Sequence, residues 1–252
     1  MVEILLLSLI QGITEFLPIS SSSHLIIFSN YINDSSQNLT IVVSLHIGSF
    51  IAVITYFRKD LINFVKNKDL FLKILISSIP VMFVGFILVQ TNFIDNLRNI
   101  RIIGWTTIIF GILLYISDKF KLEKNIENNF SFKSAIIIGF LQILSLVPGV
   151  SRSGITITAA RFLNFKRLDS AKISFLLSIP TLGAVSVYGI SNLINSDDLE
   201  FSMINLLTIF FAFIFSYFTI KYFLKYIKQF SLKIFVIYRI FIGIVILFLI
   251  YL

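Results

Sequence analysis

The chain has 252 residues, 57% hydrophobic and only 13% charged, with no cysteine. Soluble domains carry roughly twice that charged fraction, and the mean hydropathy of +0.93 excludes one here; the lack of thiols excludes disulfides and thiolate metal sites. The apolar runs are continuous over about twenty residues, which excludes a transmembrane β-barrel and predicts an all-α polytopic membrane protein. The net charge is +8. In a soluble protein that would fit nucleic acid, but here the lysines collect in a few short loops. They are read as topology determinants, and no nucleic-acid partner is expected. The N-terminus has neither the basic region nor the small-residue site of a cleavable leader.

Residues 2–17 are apolar but stop at Pro18, and residues 21–31 form a second short apolar piece. Neither is long enough to span, so the pair predicts a re-entrant helix–loop–helix. Spans are predicted at 39–57, at 70–90 with Pro80 inside, and at 100–117. The pattern then recurs. Residues 134–147 stop at Pro148 and residues 153–163 are the partner piece. Spans follow at 173–190, with Pro180 inside, at 203–221 and at 234–252. The basic loops 58–69, 118–133, 164–172 and 221–233 are assigned to the cytoplasm, and the loops 32–38, 91–99 and 191–202 to the outside. Under this assignment six spans alternate and the two hairpins enter from opposite faces. One membrane domain, 1–252, is therefore expected, with inverted-topology repeat halves at about 1–117 and 134–252. Pro18 and Pro148 mark the two halves, as do Ser78-Ile79-Pro80 and Ser178-Ile179-Pro180.

The polar residues concentrate at the two breaks. Ionisable groups at membrane depth are costly and usually functional. Around the second break stand Ser151, Arg152, Ser153 and Thr156, with Gly149 and Gly154. A helix N-terminus, a guanidinium and hydroxyls suit a phosphate; the other reading of Arg152 is an ion pair with a buried carboxylate such as Glu15. At the first break Gln11 and Glu15 are four apart, on one helix face. Glu15 can act as general base, or hold a divalent cation with Gln11 and phosphate oxygens. The serines 20–23 offer a nucleophile, a helix cap or both, and His24 an acid, a base or a nucleophile. His46, beside Gly48 and Ser49, reads as a packing residue, with a place in the pocket lining as its other reading; Gln142 lies on the helix leading to Pro148 and can point inward, and Trp105 reads as an interface anchor. Either Glu15 or His24 is expected within one ligand's width of Arg152.

Gln11-Gly-Ile-Thr-Glu15-Phe-Leu-Pro-Ile-Ser-Ser followed by His24, together with Pro148-Gly-Val-Ser-Arg-Ser-Gly-Ile-Thr156, resembles the bacterial undecaprenyl-diphosphate phosphatase family, also called the bacitracin resistance protein family. The resemblance extends to Leu45-His-Ile-Gly48-Ser-Phe-Ile-Ala52, to Gln142 and to Ser174-Phe-Leu-Leu-Ser-Ile-Pro180. It implies hydrolysis of undecaprenyl diphosphate, the precursor of a lipid carrier for cell-wall synthesis. It also implies six spans with two opposed re-entrant pairs, a bacterial inner-membrane location, a divalent cation (Mg or Ca) and a homodimer. Carried over, Glu15 and Gln11 take the acidic-motif and metal positions. Ser21 is a candidate nucleophile and His24 the essential histidine. Arg152, Ser20, Ser151, Ser153 and Thr156 would bind the diphosphate. The chain departs from the family pattern at Gln11 (often Glu), Ser22-Ser23 (often Thr-Gly), His46 (often Gln) and Lys172 (often Glu). The alternative function is a polyprenyl-phosphate transporter or flippase, since broken helices meeting at the midplane are also transporter architecture.

Overall fold

The computed structural model describes residues 2–31, 39–66, 68–91, 93, 97–120, 123–195 and 203–252. Its helices are α1 (Val2–Thr14), α2 (Ser21–Tyr31), α3 (Leu39–Tyr56), α4 (Arg58–Lys66), α5 (Lys68–Gln90), α6 (Ile100–Asp118), α7 (Ile126–Asn129), α8 (Phe132–Gln142), α9 (Arg152–Phe162), α10 (Arg167–Asn195), α11 (Met203–Ile227) and α12 (Lys233–Tyr251). A 3-10 turn, Ile143–Leu146, extends α8 towards Pro148. Five of the described helices, α5, α6, α10, α11 and α12, are long and apolar enough to cross a membrane, so the protein is an all-helical, multi-pass membrane protein. The sixth expected span corresponds to α3, an apolar helix of 18 residues that ends one residue before α4. Both short pieces that stop at a proline, α1 and α8 with its turn, are short apolar helices as expected.

Two expected loops are largely helix. Within the basic stretch 58–69, α4 forms around Leu61, which packs against the core, with Asp60 in its first turn. Within 164–172, α10 begins at Arg167. Leu168 packs on the core and Ala171 is fully buried, and Arg167 grips Asp118 through Nε at 2.7 Å and Nη2 at 3.1 Å. The expected loop 32–38, the acidic residues Asp197, Asp198 and Glu200, and Lys121 lie outside the described residues.

Helix packing is set by small residues at the crossings, as membrane helices require. α1 packs on α11, α8 on α5, α6 on α12, and α3 on both α10 and α11. A Cβ at Gly12 would come within 2.5 Å of Phe215 Cβ on α11, and one at Gly139 within 2.5 Å of the Ser77 carbonyl oxygen on α5. Where α6 meets α12, Gly104 faces Leu247 and Gly243 faces Ile108. The core between them is aromatic: Phe175 meets Phe16, Phe57 and Phe223, with ring centroids 5.4, 6.3 and 5.8 Å away. The two Ser-Ile-Pro triplets do not occupy matching positions. Pro180 lies on α10, the second helix after the second break, behind α9. Pro80 lies on α5, which follows α3 and α4.

The least expected residue of the fold is Arg239 on α12. It is fully buried, and its guanidinium donates to four carbonyl oxygens: Thr107 (3.2 Å), Pro18 (3.2 Å), Val150 (3.1 Å) and Gly149 (2.7 Å). Pro18 belongs to the first break, and Gly149 and Val150 to the second. One side chain therefore ties both breaks to α12 and α6. Replacing it with Arg239→Leu leaves those acceptors without donors and should cost about 3–5 kcal/mol. In detergent, the thermal unfolding midpoint should fall by about 10 °C.

Candidate active site

Each break passes through a serine in the left-handed region just before a helix: Ser20 (φ 75°) ahead of α2 and Ser151 (φ 70°) ahead of α9. A non-glycine residue held there costs about 1–3 kcal/mol, and such residues concentrate at functional sites. The strain is fixed by hydrogen bonds. Ser151 Oγ caps α9 by accepting from Gly154 N at 3.1 Å. Ser20 Oγ pairs with Ser23 Oγ at 3.0 Å. Gly149 (φ 93°) has no room for a side chain, since a Cβ would lie 2.0 Å from Thr106 Oγ1, and Thr106 in turn donates to the Pro148 carbonyl at 2.7 Å.

The breaks meet. Arg152 Nη2 donates to Glu15 Oε1 at 2.7 Å across 137 residues of sequence, and Arg152 Nη1 donates to the Ser174 carbonyl at 3.2 Å. The other oxygen of Glu15 accepts from Ser21 Oγ at 2.6 Å and from Gln11 Nε2 at 3.1 Å. The expected proximity of Glu15 and Arg152 is thus a direct ion pair, and Ser21 joins it.

These groups form the polar end of a cavity of about 530 Å³. Glu15, Ser20, Ser21, Ser22, Ser151 and Arg152 come from the breaks, His46 from α3, and Gln142 and Ser145 from the end of α8 and its 3-10 turn. The opposite wall is apolar: Val81, Met82, Gly85, Phe86 and Val89 of α5 face Leu182, Val185 and Tyr188 of α10. Met82, Phe86, Val185 and Tyr188 are also exposed on the molecular surface, so the cavity opens sideways between α5 and α10. Both polar atoms of Gln142, at the polar end of the cavity, are buried with no hydrogen-bond partner among the described residues, which is uncommon for a buried amide.

Not every expected residue faces the cavity. Ser153 Oγ donates to the Leu17 carbonyl at 2.7 Å. Thr156 Oγ1 donates to the Ser174 hydroxyl at 2.7 Å. Both are buried and stitch α9 to its neighbours. Gln11 supports Glu15 from behind, with its own Oε1 buried and unpartnered among the described residues. His24 is not in the cavity wall. Its Nδ1 lies 2.7 Å from the Ser20 carbonyl, its Nε2 lies 2.6 Å from the Tyr238 hydroxyl, and its ring stacks on Tyr238. His46, expected to pack, lines the cavity instead. Sequence reasoning also passed over Ser145, Tyr188, Tyr238 and Arg239. An arginine inside an apolar span was the available signal for Arg239; for the others no local pattern distinguishes a wall residue from its neighbours.

Buried charge and hydroxyls at one end and apolar helix faces at the other define a membrane protein with an amphiphilic cavity. The chain matches the model of the family described as "Bacitracin resistance protein BacA" over residues 4–245, and it belongs to that family. It is 49% identical over 251 residues to the undecaprenyl-diphosphatase of Pelagibacter ubique, covering 99% of this chain and 98% of that one. It is 37% identical over 256 residues to the undecaprenyl-diphosphatase of Jannaschia sp., covering 96% of each. With the undecaprenyl-diphosphatase of Saccharophagus degradans it shares 39% identity over 250 residues.

The hydrogen bonds separate two serines that look alike in sequence. Ser153→Ala should lower the unfolding midpoint by a few degrees, for about 1 kcal/mol of lost hydrogen bonding, with activity retained. Ser21→Ala should unfold like the unaltered protein and lose roughly 10³-fold or more in turnover.

Proposed function

We propose that this chain hydrolyses undecaprenyl diphosphate to undecaprenyl phosphate and inorganic phosphate, recycling the lipid carrier of cell-wall synthesis in the bacterial inner membrane. The observation that carries the reading is the Arg152–Glu15–Ser21 cluster at the polar end of a cavity whose apolar end opens between membrane helices. The names of the relatives agree with it.

In this mechanism Arg152 exchanges Glu15 for oxygens of the diphosphate, which a guanidinium grips in a bidentate way. Ser151 and the unpartnered amide of Gln142 add hydrogen bonds. Ser21 is the nucleophile, because its hydroxyl already donates to Glu15 Oε2, the arrangement that activates a serine. The serine oxygen bonds to the terminal phosphorus and its proton passes to Glu15. The bridging P–O bond breaks towards the lipid phosphate. His24 is the weaker nucleophile candidate, since Nε2 already meets the Tyr238 hydroxyl. It serves better as a brace holding Ser20 against α12.

A divalent cation belongs to this reading. Glu15 and the orphaned Oε1 of Gln11 are oxygen donors of the Mg or Ca type, to be completed by phosphate oxygens. Such an ion would spread the charge of the diphosphate. The two opposed hairpins and the sixth span also fit. α1 packs on α11 as α8 packs on α5, each through a glycine, and α6 pairs with α12, as an inverted repeat would arrange them. The homodimer rests on the family resemblance, and a protein mass of twice 28.8 kDa in detergent would support it.

The deciding experiment is phosphate release from a prenyl diphosphate by the purified protein; a transporter releases none. Chelation should abolish release and added Mg or Ca restore it, and Gln11→Glu, by supplying a second carboxylate, should lower the cation concentration needed. Gly85→Phe should crowd the apolar mouth near Leu146. It should raise KM for the long-chain substrate about tenfold, or about 1.4 kcal/mol, with kcat little changed.

A further inference from the structure

The chain has two histidines, and both are anchored alike. Nδ1 of His24 lies 2.7 Å from the Ser20 carbonyl, and Nδ1 of His46 lies 2.8 Å from the Val42 carbonyl, each four residues back. A carbonyl oxygen only accepts, so in the neutral ring Nδ1 carries the proton and Nε2 the lone pair. The two then differ. The Tyr238 hydroxyl occupies Nε2 of His24 at 2.6 Å. Nε2 of His46 makes no hydrogen bond among the described residues, and its ring stands in the cavity wall with Glu15, Ser21 and Arg152. Glu15 itself is committed to three donors. After it has taken the serine proton, the site needs a second acceptor for the proton of the attacking water.

We propose that His46 is a catalytic base of this site, taking a proton from the water that releases inorganic phosphate. The inference rests on the phosphatase reading above. As the water oxygen bonds to phosphorus, one of its protons passes to His46 Nε2. The bond between phosphorus and the Ser21 oxygen breaks, and the electron pair stays on that oxygen. The imidazolium then returns the proton to Ser21, and the departing phosphate takes the proton that Glu15 holds, so serine, imidazole and carboxylate are all regenerated.

The step needs neutral imidazole, so the rate falls as His46 is protonated. The other ionisable groups facing the cavity are Glu15 from the first break, Arg152 from α9 and Tyr188 from α10. From α11, Ile209, Ala212 and Phe213 abut the neighbouring Gly48, and none of them titrates. Carboxyl, guanidinium and phenol groups ordinarily titrate well away from imidazole.

The test is the pH dependence of phosphate release by the purified protein. The unaltered protein should lose about tenfold per pH unit on the acid side of its profile. His46→Gln should lose about 10²-fold at pH 8 and show no limb in the histidine range. Added imidazole should restore turnover to His46→Ala. An active unaltered protein whose rate and profile are shared by His46→Gln overturns the role of His46. An unaltered protein that releases no phosphate overturns the phosphatase reading instead. Should the variants not fold, histidine-labelled NMR of the unaltered protein decides, with His24→Asn assigning its two ring signals. The His46 midpoint must coincide with the kinetic one, and a mismatch overturns the proposal.

Discussion

The buried guanidinium of Arg239 is the constraint on which the rest of the molecule depends. A helix broken in an apolar interior strands carbonyl oxygens, and a cation on a spanning helix strands donors; either alone is expensive. Here each satisfies the other. Carbonyls from Pro18, Gly149 and Val150 converge on one side chain, with no carboxylate consumed. That leaves Glu15 for Arg152. The same contact explains Gly154, where a Cβ would come within 2.8 Å of Arg239 Nη1. The adjacent Tyr238 reaches His24, so two consecutive residues of α12 brace both the backbone and one face of the first break.

From this brace the cavity follows. With Pro18 and Gly149 held to a common point, the two breaks lie together, and Ser153 Oγ joins them through the Leu17 carbonyl. Ser21 and Arg152 then both fall within hydrogen-bond reach of Glu15, although Arg152 sits on the other break. At the far ends of the helices a second cluster does comparable work: Asp118 accepts from Arg167 and from Leu232 N, and the buried Arg161 reaches the Asp118 carbonyl. These two polar knots fix the helices at different depths, and apolar packing fills the space between.

Much of this was legible in the sequence because it follows from local rules. Apolar run lengths located the five membrane-length helices, prolines the breaks, and lysines the expected orientation. The polar content of the breaks was enough to bring Glu15 to Arg152. The shortfalls have a common cause. The basic stretches 58–69 and 164–172 read as loops by charge, but Leu61, Leu168 and Ala171 had core to pack against, and burial outweighed composition. Which hydroxyl faces a cavity and which binds a carbonyl was not encoded locally. Ser153 and Ser21 look alike until Leu17 and Glu15 are placed beside them. The fates of the two histidines depended on a tyrosine more than two hundred residues from one of them. The repeated Ser-Ile-Pro triplet was a false guide, since its copies lie on helices of different order.

The sideways mouth between α5 and α10 has a consequence for how the protein meets what it binds. A ligand entering there never crosses bulk water, so its relevant concentration is its mole fraction in the bilayer, not its molarity. Encounter is diffusion in two dimensions, and lipids that compete for the apolar walls act as a solvent that dilutes the substrate. Adding inert detergent or lipid at fixed protein and fixed total ligand should therefore look like competitive inhibition, and affinities measured in different micelles are comparable only after that dilution is taken into account.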